Sequence, residues 1–301
     1  MRRVKDDETA TGSDGQVLVA VGTSGLPEAA LAYAVTEASR AGAGVHLVHV
    51  VPSEVEVDPA ERTRLAAVGA YRLEIASRRA RELSGGAVEV TAEIADGPVL
   101  DALLERSSFA RLVVIERPAL VVLEREPAPS VTRGLAARAP VPVVTVPAVW
   151  MGVEPADIPP PRASRDTAVP APRPPIVVAS IDDPSHSRVV IAAAMAASTA
   201  LEAQLRFVHS WWHVDGEAEP VDGIGEQTLS PRRAAETLVE MSRGAELIVT
   251  ARRTGDADTD ALSPATRAVL YEAVCPVLVV AESQPTDVLA SRRRLSLVRG
   301  A

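Results

Sequence analysis

The stretch VLVAVGTSGLPEAA, from Val17 to Ala30, determines how the chain is built. Five aliphatic residues lead into Gly-Thr-Ser-Gly, and a helix is predicted to follow. A nearly continuous apolar run of this length is typical of a strand that a parallel sheet buries on both faces. Many phosphate-binding turns also join such a strand to a helix, so this turn is a candidate nucleotide site.

The same alternation of apolar strands and helical segments continues through the first half of the chain. We predict strands at 16–21, 45–51, 87–95, 111–115 and 142–146, and helices at 26–41, 60–84, 97–108 and 130–139. This alternation implies an α/β fold, with a parallel sheet between two layers of helices. Right-handed crossovers make such a sheet doubly wound and Rossmann-like, with its ligand crevice at the carboxyl ends of the strands. Gly22 and Val50 lie at two of these ends.

The second half of the sequence repeats the first. The segment beginning IVVASIDDP aligns with VLVAVGTSG so that Asp182 matches Gly22, an offset of 160 residues. Further on, ELIVTA aligns with RLVVIE at an offset of 135. A repeat of this length indicates a duplicated domain, because solenoid repeats are much shorter. The fall in offset predicts that the second copy lacks one helix, and with it one strand, before ELIVTA.

A proline-rich stretch separates the two repeats and predicts a semi-rigid linker. The expected organisation is a disordered tail at 1–15, a first domain at 16–147, the linker at 148–175, a shortened second domain at 176–282 and a basic tail at 283–301.

The composition excludes several classes of protein. A formal net charge of −9 argues against a nucleic-acid partner. No apolar run approaches the roughly 18 residues of a membrane helix, and the first residues lack the apolar segment of a signal peptide. A single cysteine, Cys275, fits a reducing compartment. We therefore expect a cytoplasmic protein without a membrane or nucleic-acid partner.

Three motifs carry a family resemblance. They are LVHV in the second strand, GPVLDALLE in the third helix, and TRGLA followed by PVPVV at the end of the first repeat. Together they resemble the universal stress protein family in its tandem-domain form. The resemblance implies two adenine nucleotide alpha hydrolase-like sheets that pair through their last strands. PVPVVTVPA and CPVLVVAES would then pair within one chain as a pseudo-dimer, and a homodimer of two chains stays open.

The resemblance also identifies where an ATP site would lie. Family members that bind ATP carry an aspartate after the first strand and a Gly-two-Gly-nine-Gly-Ser sequence after the fourth. Here Gly22 occupies the aspartate position, and the motif spacing falls on Glu116, Ala119, Pro129 and Ser130. Glu116 would bring a carboxylate near a polyphosphate, and Pro129 removes an amide donor. The simplest role of Ser130 is the N-cap of the next helix.

The second repeat restores the aspartate as Asp182 but not the glycines. Ser263-Pro264 stands where Gly-Ser would be, and no alignment places glycine at all three positions. Arg252 and Arg253 follow the strand and could hold an anion, although arginines at such positions are often simply solvated.

The candidate residues of a residual nucleotide pocket are Gly22, Thr23, Ser24, Val50 and Ser130 in the first repeat and Asp182 in the second. The alternative for Gly22–Gly25 is a plain turn, with Ser24 or Gly25 as N-cap and Pro27 in the first helical turn. No catalytic group and no metal site is predicted. His46 and His49 lie three residues apart in a strand and therefore point to opposite faces.

Three functions follow from this pattern. The first is a non-catalytic stress-response or regulatory protein that has lost ordinary ATP binding, needs no cofactor and acts through an unidentified protein partner. The second is a module that binds ATP with magnesium through Asp182 or the Gly22–Gly25 turn, or another ligand through Arg252 and Arg253. The third is a slow nucleotide hydrolase, for which the sequence offers no catalytic residue.

Overall fold

The computed structural model describes residues 15–52, 58–117, 131–150, 174–182, 187–210, 227–229, 231–253 and 261–281. The first half consists of β1 (Gln16–Ala20), α1 (Glu28–Ala41), β2 (Val45–Val51), α2 (Pro59–Leu83), β3 (Val90–Asp96), α3 (Val99–Ser107), β4 (Ala110–Arg117), α4 (Val131–Arg138) and β5 (Val143–Pro147). The second half consists of β6 (Ile176–Ile181), α5 (Ser187–Leu201), β7 (Gln204–Ser210), β8 (Gln227–Leu229), α6 (Pro231–Met241), β9 (Leu247–Ala251), α7 (Pro264–Glu272) and β10 (Val277–Val280).

The described strands form one ten-stranded sheet in the order β3-β2-β1-β4-β5-β10-β9-β6-β7-β8. The equivalent strands of the second half follow the same order as those of the first half, but in the opposite direction across the sheet. The two halves meet where β5 and β10 pair antiparallel. Val277 lies opposite Thr145, and Val279 lies opposite Val143. The other pairings between described strands are parallel. The predicted fold class and the pairing of the last strands within one chain are therefore confirmed.

Valine-rich strands form this sheet because both of its faces are covered. Val17 and Val19 point to the face that carries α1, α2 and α5, whereas Leu18 points to the face that carries α3 and α4. On the first face, buried side chains of both halves form one continuous core. On the opposite face the core is divided, with a separate cluster beneath α6 and α7.

The prediction that the second half lacks a strand is wrong. Gln227–Leu229 forms β8, which pairs parallel with β7. A three-residue strand is too short to display a period-two apolar pattern, so no sequence signal indicated it. The connection 211–226 lies outside the described residues. The predicted loss of a helix before β9 therefore stays a prediction.

Several predicted segments fall outside the described residues, namely 1–14, 151–173 and 282–301. The domain limits, the linker and both tails therefore stay predictions. Within the described part of the chain, no helix is both long enough and apolar enough to cross a membrane.

Candidate functional site

The turn after β1 is exposed and open. Gly22, Thr23 and Ser24 are all exposed, and a Cβ built on Gly22 would meet no atom within 4 Å. Gly25 has a φ of +138°, a conformation that L side chains rarely adopt. The turn thus has the backbone freedom of a ligand-binding loop.

The start of α1 differs from the prediction. Pro27, not Ser24 or Gly25, occupies the N-cap position, and no side chain of that residue bonds to the helix. The predicted place of Pro27 in the first helical turn is therefore also wrong. Proline carries no side-chain acceptor, so the first amides of α1 need a partner from elsewhere in the chain.

Glu116 supplies that partner from β4. Its Oε2 accepts a hydrogen bond from the amide of Ala29 at 2.9 Å and another from the amide of Ala30 at 3.2 Å. Burial raises the pKa of the Glu116 carboxyl, and the two amide hydrogen bonds partly offset this rise. The carboxyl group occupies the helix end at which an external anion would otherwise bind.

The remaining predicted residues of the first half contribute less. The Val50 side chain is only 7% exposed and packs into the core beneath α3 and α4. In the register of β1 and β2, Ala20 lies opposite Val48, two residues before Val50. Ser130 lies outside the described residues.

Asp182 lies directly after β6, and hydroxyl groups surround its carboxylate. Ser180 Oγ donates to Oδ1 at 2.9 Å, Ser263 Oγ donates to Oδ2, and Thr266 Oγ1 lies 3.4 Å from Oδ2. Ser263 is also the N-cap of α7, where its Oγ accepts from the Thr266 amide at 3.0 Å. The structure therefore holds Asp182 against the start of α7.

The two halves thus place a carboxyl group of the chain at a comparable point. In the first half, the Glu116 carboxyl group extends from β4 to α1, the helix that follows β1. In the second half, the Asp182 carboxyl group extends from the end of β6 to α7, the helix that follows β9. β1 lies beside β4, and β6 beside β9, where the direction of the crossovers reverses. Open α/β sheets bind ligands at this reversal. Each candidate crevice therefore contains an acidic side chain of the protein itself.

Arg252 does not face an open anion site. Its Nη1 donates at 2.9 Å to the carbonyl of Ala137, in the last turn of α4. Arg117, which is 135 residues earlier and so matches it in the repeat, donates to the carbonyls of Tyr271 and Ala273 at the end of α7. Burial lowers the pKa of both guanidinium groups. The two arginines link each half to the last helix of the other. Arg253, in contrast, is exposed.

The predicted separation of His46 and His49 is confirmed. His46 contacts Thr91 and Glu93, and Glu93 in turn pairs with Arg106 of α3. His49 instead lies against Gly69 of α2 and bonds to the Val21 carbonyl at 2.8 Å. Among the residues that the structure describes, no three His, Cys, Asp or Glu side chains are grouped as metal ligands would be.

Fold and crevices together define a class of protein: a Rossmann-like α/β chain whose two related halves share one sheet. Residues 15–147 match the model of the Universal stress protein family.

Solved structures extend the likeness of fold to both halves. A universal stress protein from Archaeoglobus fulgidus DSM 4304 is 13% identical with a TM-score of 0.59, over 88% of this chain and 96% of that one. A functionally unknown protein from Pseudomonas aeruginosa PAO1 is 14% identical with a TM-score of 0.51, over 92% and 95% of the two chains. A universal stress protein from Archaeoglobus fulgidus in complex with dAMP is 22% identical with a TM-score of 0.35, over 44% and 98%. No curated protein matches the sequence.

Proposed function

We propose that this chain is a non-catalytic stress-response or regulatory protein that has lost ordinary ATP binding and acts through a protein partner. The observation that carries the proposal is the hydrogen bonding of Glu116 to the amides of Ala29 and Ala30. A phosphate approaching this end of α1 would have to displace a carboxyl group or share the crevice with it. Displacement breaks the two amide hydrogen bonds of Glu116, and sharing the crevice places an acidic side chain beside the phosphates, so both arrangements disfavour a polyphosphate.

The second crevice gives further support. Asp182 is the acidic residue that the family resemblance would assign to adenine, but its carboxylate accepts hydrogen bonds from Ser180 and Ser263. A nucleotide that used Asp182 would have to break part of this network. Hydrogen bonds to a charged group typically contribute about 1.5–3 kcal/mol each, so this rearrangement lowers affinity.

One observation favours the alternative, in which the chain binds ATP with magnesium. The Gly22–Gly25 turn is exposed, and a Cβ on Gly22 would meet nothing within 4 Å, so a ligand has room to approach the backbone there. In that case the turn, or the side of the second crevice that holds Asp182, would form the site. If the chain binds ATP in this way, slow nucleotide hydrolysis can also be tested.

The experiment is a calorimetric titration of the full chain with ATP and magnesium. We expect a dissociation constant no tighter than about 1 mM. Micromolar binding that disappears in Asp182→Ala would overturn the proposal and assign the site to the second crevice. Micromolar binding that survives in that variant would assign it to the Gly22–Gly25 turn. Asp101→Ala, which removes an exposed carboxylate far from either turn in sequence, is the matched control.

The proposed function also includes a division of the chain into two domains. We propose domains at 16–147 and 176–282, joined by the linker 148–175 and flanked by tails at 1–15 and 283–301, in a protein of the cytoplasm. The symmetric strand order on either side of the β5–β10 pair supports the division. Brief proteolysis followed by mass spectrometry should cut first within 148–175. A first cut inside either domain would contradict these limits.

A further inference from the structure

A cavity of about 440 Å³ lies between the two halves, away from both crevices. Its walls come from α1, the C-terminal ends of α2 and α5, the start of β9, and Trp150 after β5. Helices α1 and α5 follow the equivalent strands β1 and β6, so the cavity lies where the two repeats meet. This volume is typical of pockets that hold small organic molecules.

Much of the cavity wall is apolar or aromatic. Tyr33 and Trp150 make an edge-to-face contact with their ring centroids 5.7 Å apart, and both residues line the cavity. Val35, Ala197 and Leu247 add aliphatic surface. These walls favour a hydrocarbon or aromatic ligand body, and the face of a tryptophan or tyrosine ring also attracts organic cations.

The charged residues of the cavity do not cancel. Glu37 is buried and pairs with Arg40 at 2.6 Å, so these two side chains compensate each other. Glu246 also lines the cavity, and its side chain makes no hydrogen bond or ion pair with the described residues. Burial raises the pKa of the Glu246 carboxyl, which is the direction expected for an acid without a cationic neighbour.

The end of α5 adds to the negative character of the site. Ala200 and Leu201, in the last turn of this helix, line the cavity, and that turn contains no basic residue. The C-terminal end of a helix carries a partial negative charge, which favours a nearby cation. One helix end and one carboxyl group that makes no ion pair with the described residues therefore face the same space.

We propose that this cavity binds a small organic monocation, with its ammonium group paired to Glu246 and its apolar body against Tyr33 and Trp150. The volume and the aromatic walls fit a small organic ligand, and the Glu246 carboxyl group favours one that carries a positive charge. The same charge disfavours nucleotides and other anions, so the site is separate from any nucleotide function of the crevices.

The first test uses three probes of nearly the same shape and different charge. Calorimetry of the full chain with 2-phenylethylamine should give one saturable site. The neutral 2-phenylethanol should bind at least about tenfold more weakly, a difference of about 1.4 kcal/mol, and 3-phenylpropionate should not bind. Absence of saturable amine binding, or equal affinity for the three probes, would overturn the proposal.

The second test assigns the cation to Glu246. Glu246→Gln should weaken 2-phenylethylamine binding at least about tenfold while leaving the 2-phenylethanol affinity unchanged. Glu240→Gln removes an exposed carboxylate of α6 outside the cavity and should change neither affinity. Equal amine binding in the wild type and Glu246→Gln would show that this carboxyl group is not the recognition element. A thermal melt of each variant confirms that the fold is retained.

Discussion

Each crevice contains a carboxyl group at the start of a helix, but the two carboxyl groups accept hydrogen bonds from different kinds of donor. In the first half, α1 starts at a proline without a side-chain cap, and Glu116 satisfies two of its backbone amides. In the second half, Ser263 already caps α7, and Asp182 instead accepts from hydroxyl groups. A carboxyl group at a helix start can therefore replace a cap or support one. Repeats with one topology do not need matching residues to close their crevices.

The largest effect on stability is expected at the junction between the halves, where the two equivalent arginines make different numbers of contacts. Arg117 contacts two carbonyls at the end of α7, whereas Arg252 contacts one in α4. We expect Arg117→Ala to lower the free energy of unfolding by about 2 kcal/mol and Arg252→Ala by about 1 kcal/mol. Chemical denaturation measures both values. Arg188→Ala, an exposed arginine of α5, should have almost no effect, and equal losses for Arg117 and Arg252 would contradict the asymmetry.

Removal of Asp182 is expected to have the next largest effect. Asp182→Ala leaves the hydroxyl groups of Ser180 and Ser263 without their acceptor, so stability should fall by about 1.5 kcal/mol. Asp182→Asn keeps one side-chain oxygen and should lose less. Denaturant titration distinguishes the two variants. If the alanine and asparagine variants were equally stable, the hydroxyl network would not be the source of the stability.

Glu116→Ala should cost about 1 kcal/mol, the usual value for the loss of a helix cap. The amides of Ala29 and Ala30 lose their acceptor in this variant. Hydrogen exchange at these two amides should therefore accelerate more than exchange in the middle of α1. Glu74→Ala, on the exposed face of α2, is the control for general helix effects. Unchanged protection at Ala29 and Ala30 would exclude a capping role for Glu116.

The smallest effect on stability is expected from the titration of Glu116 in the first crevice. Because burial raises the pKa of Glu116 above its ordinary value of 4.5, folding favours the protonated carboxyl. Its contribution to stability is complete below that value and is lost as the pH rises through the folded pKa. Glu116→Gln does not titrate, so the stability of the wild type relative to this variant should decline as the pH rises from about 4 to about 7. A difference that grows with pH would mean that the ionised form is the one the fold prefers.

Much of the fold could be predicted because its signals are local. Strands β1, β2 and β4 are apolar on both faces, and each predicted helix of the first half lies within three residues of its observed limits. The family resemblance led to the expected pairing of the last strands, which the structure shows as the antiparallel contact of β5 and β10. Strand β8 was missed, since three residues at the sheet edge carry too little pattern.

The contacts inside the candidate sites could not be predicted in the same way. Glu116 and Ala29 are 87 positions apart, and nothing in either segment indicates that they meet. The sequence favoured Ser24 or Gly25 as the N-cap, and only the observed start of α1 at Glu28 shows that Pro27 leaves the cap to a distant residue. The cavity combines Tyr33, Trp150 and Glu246 from separate elements, and only the assembled sheet brings them together.

The pairing of β5 with β10 has one more consequence, which concerns concentration and divergence. Both partners belong to one polypeptide, so dilution does not separate them, as it would separate the subunits of a two-chain dimer. In a homodimer, moreover, every substitution appears twice. A covalent pair is free of that constraint, and one half can acquire Glu116 while the other keeps Asp182. The two halves therefore resemble the subunits of a heterodimer that is joined covalently, and the sequences of the two crevices can diverge independently.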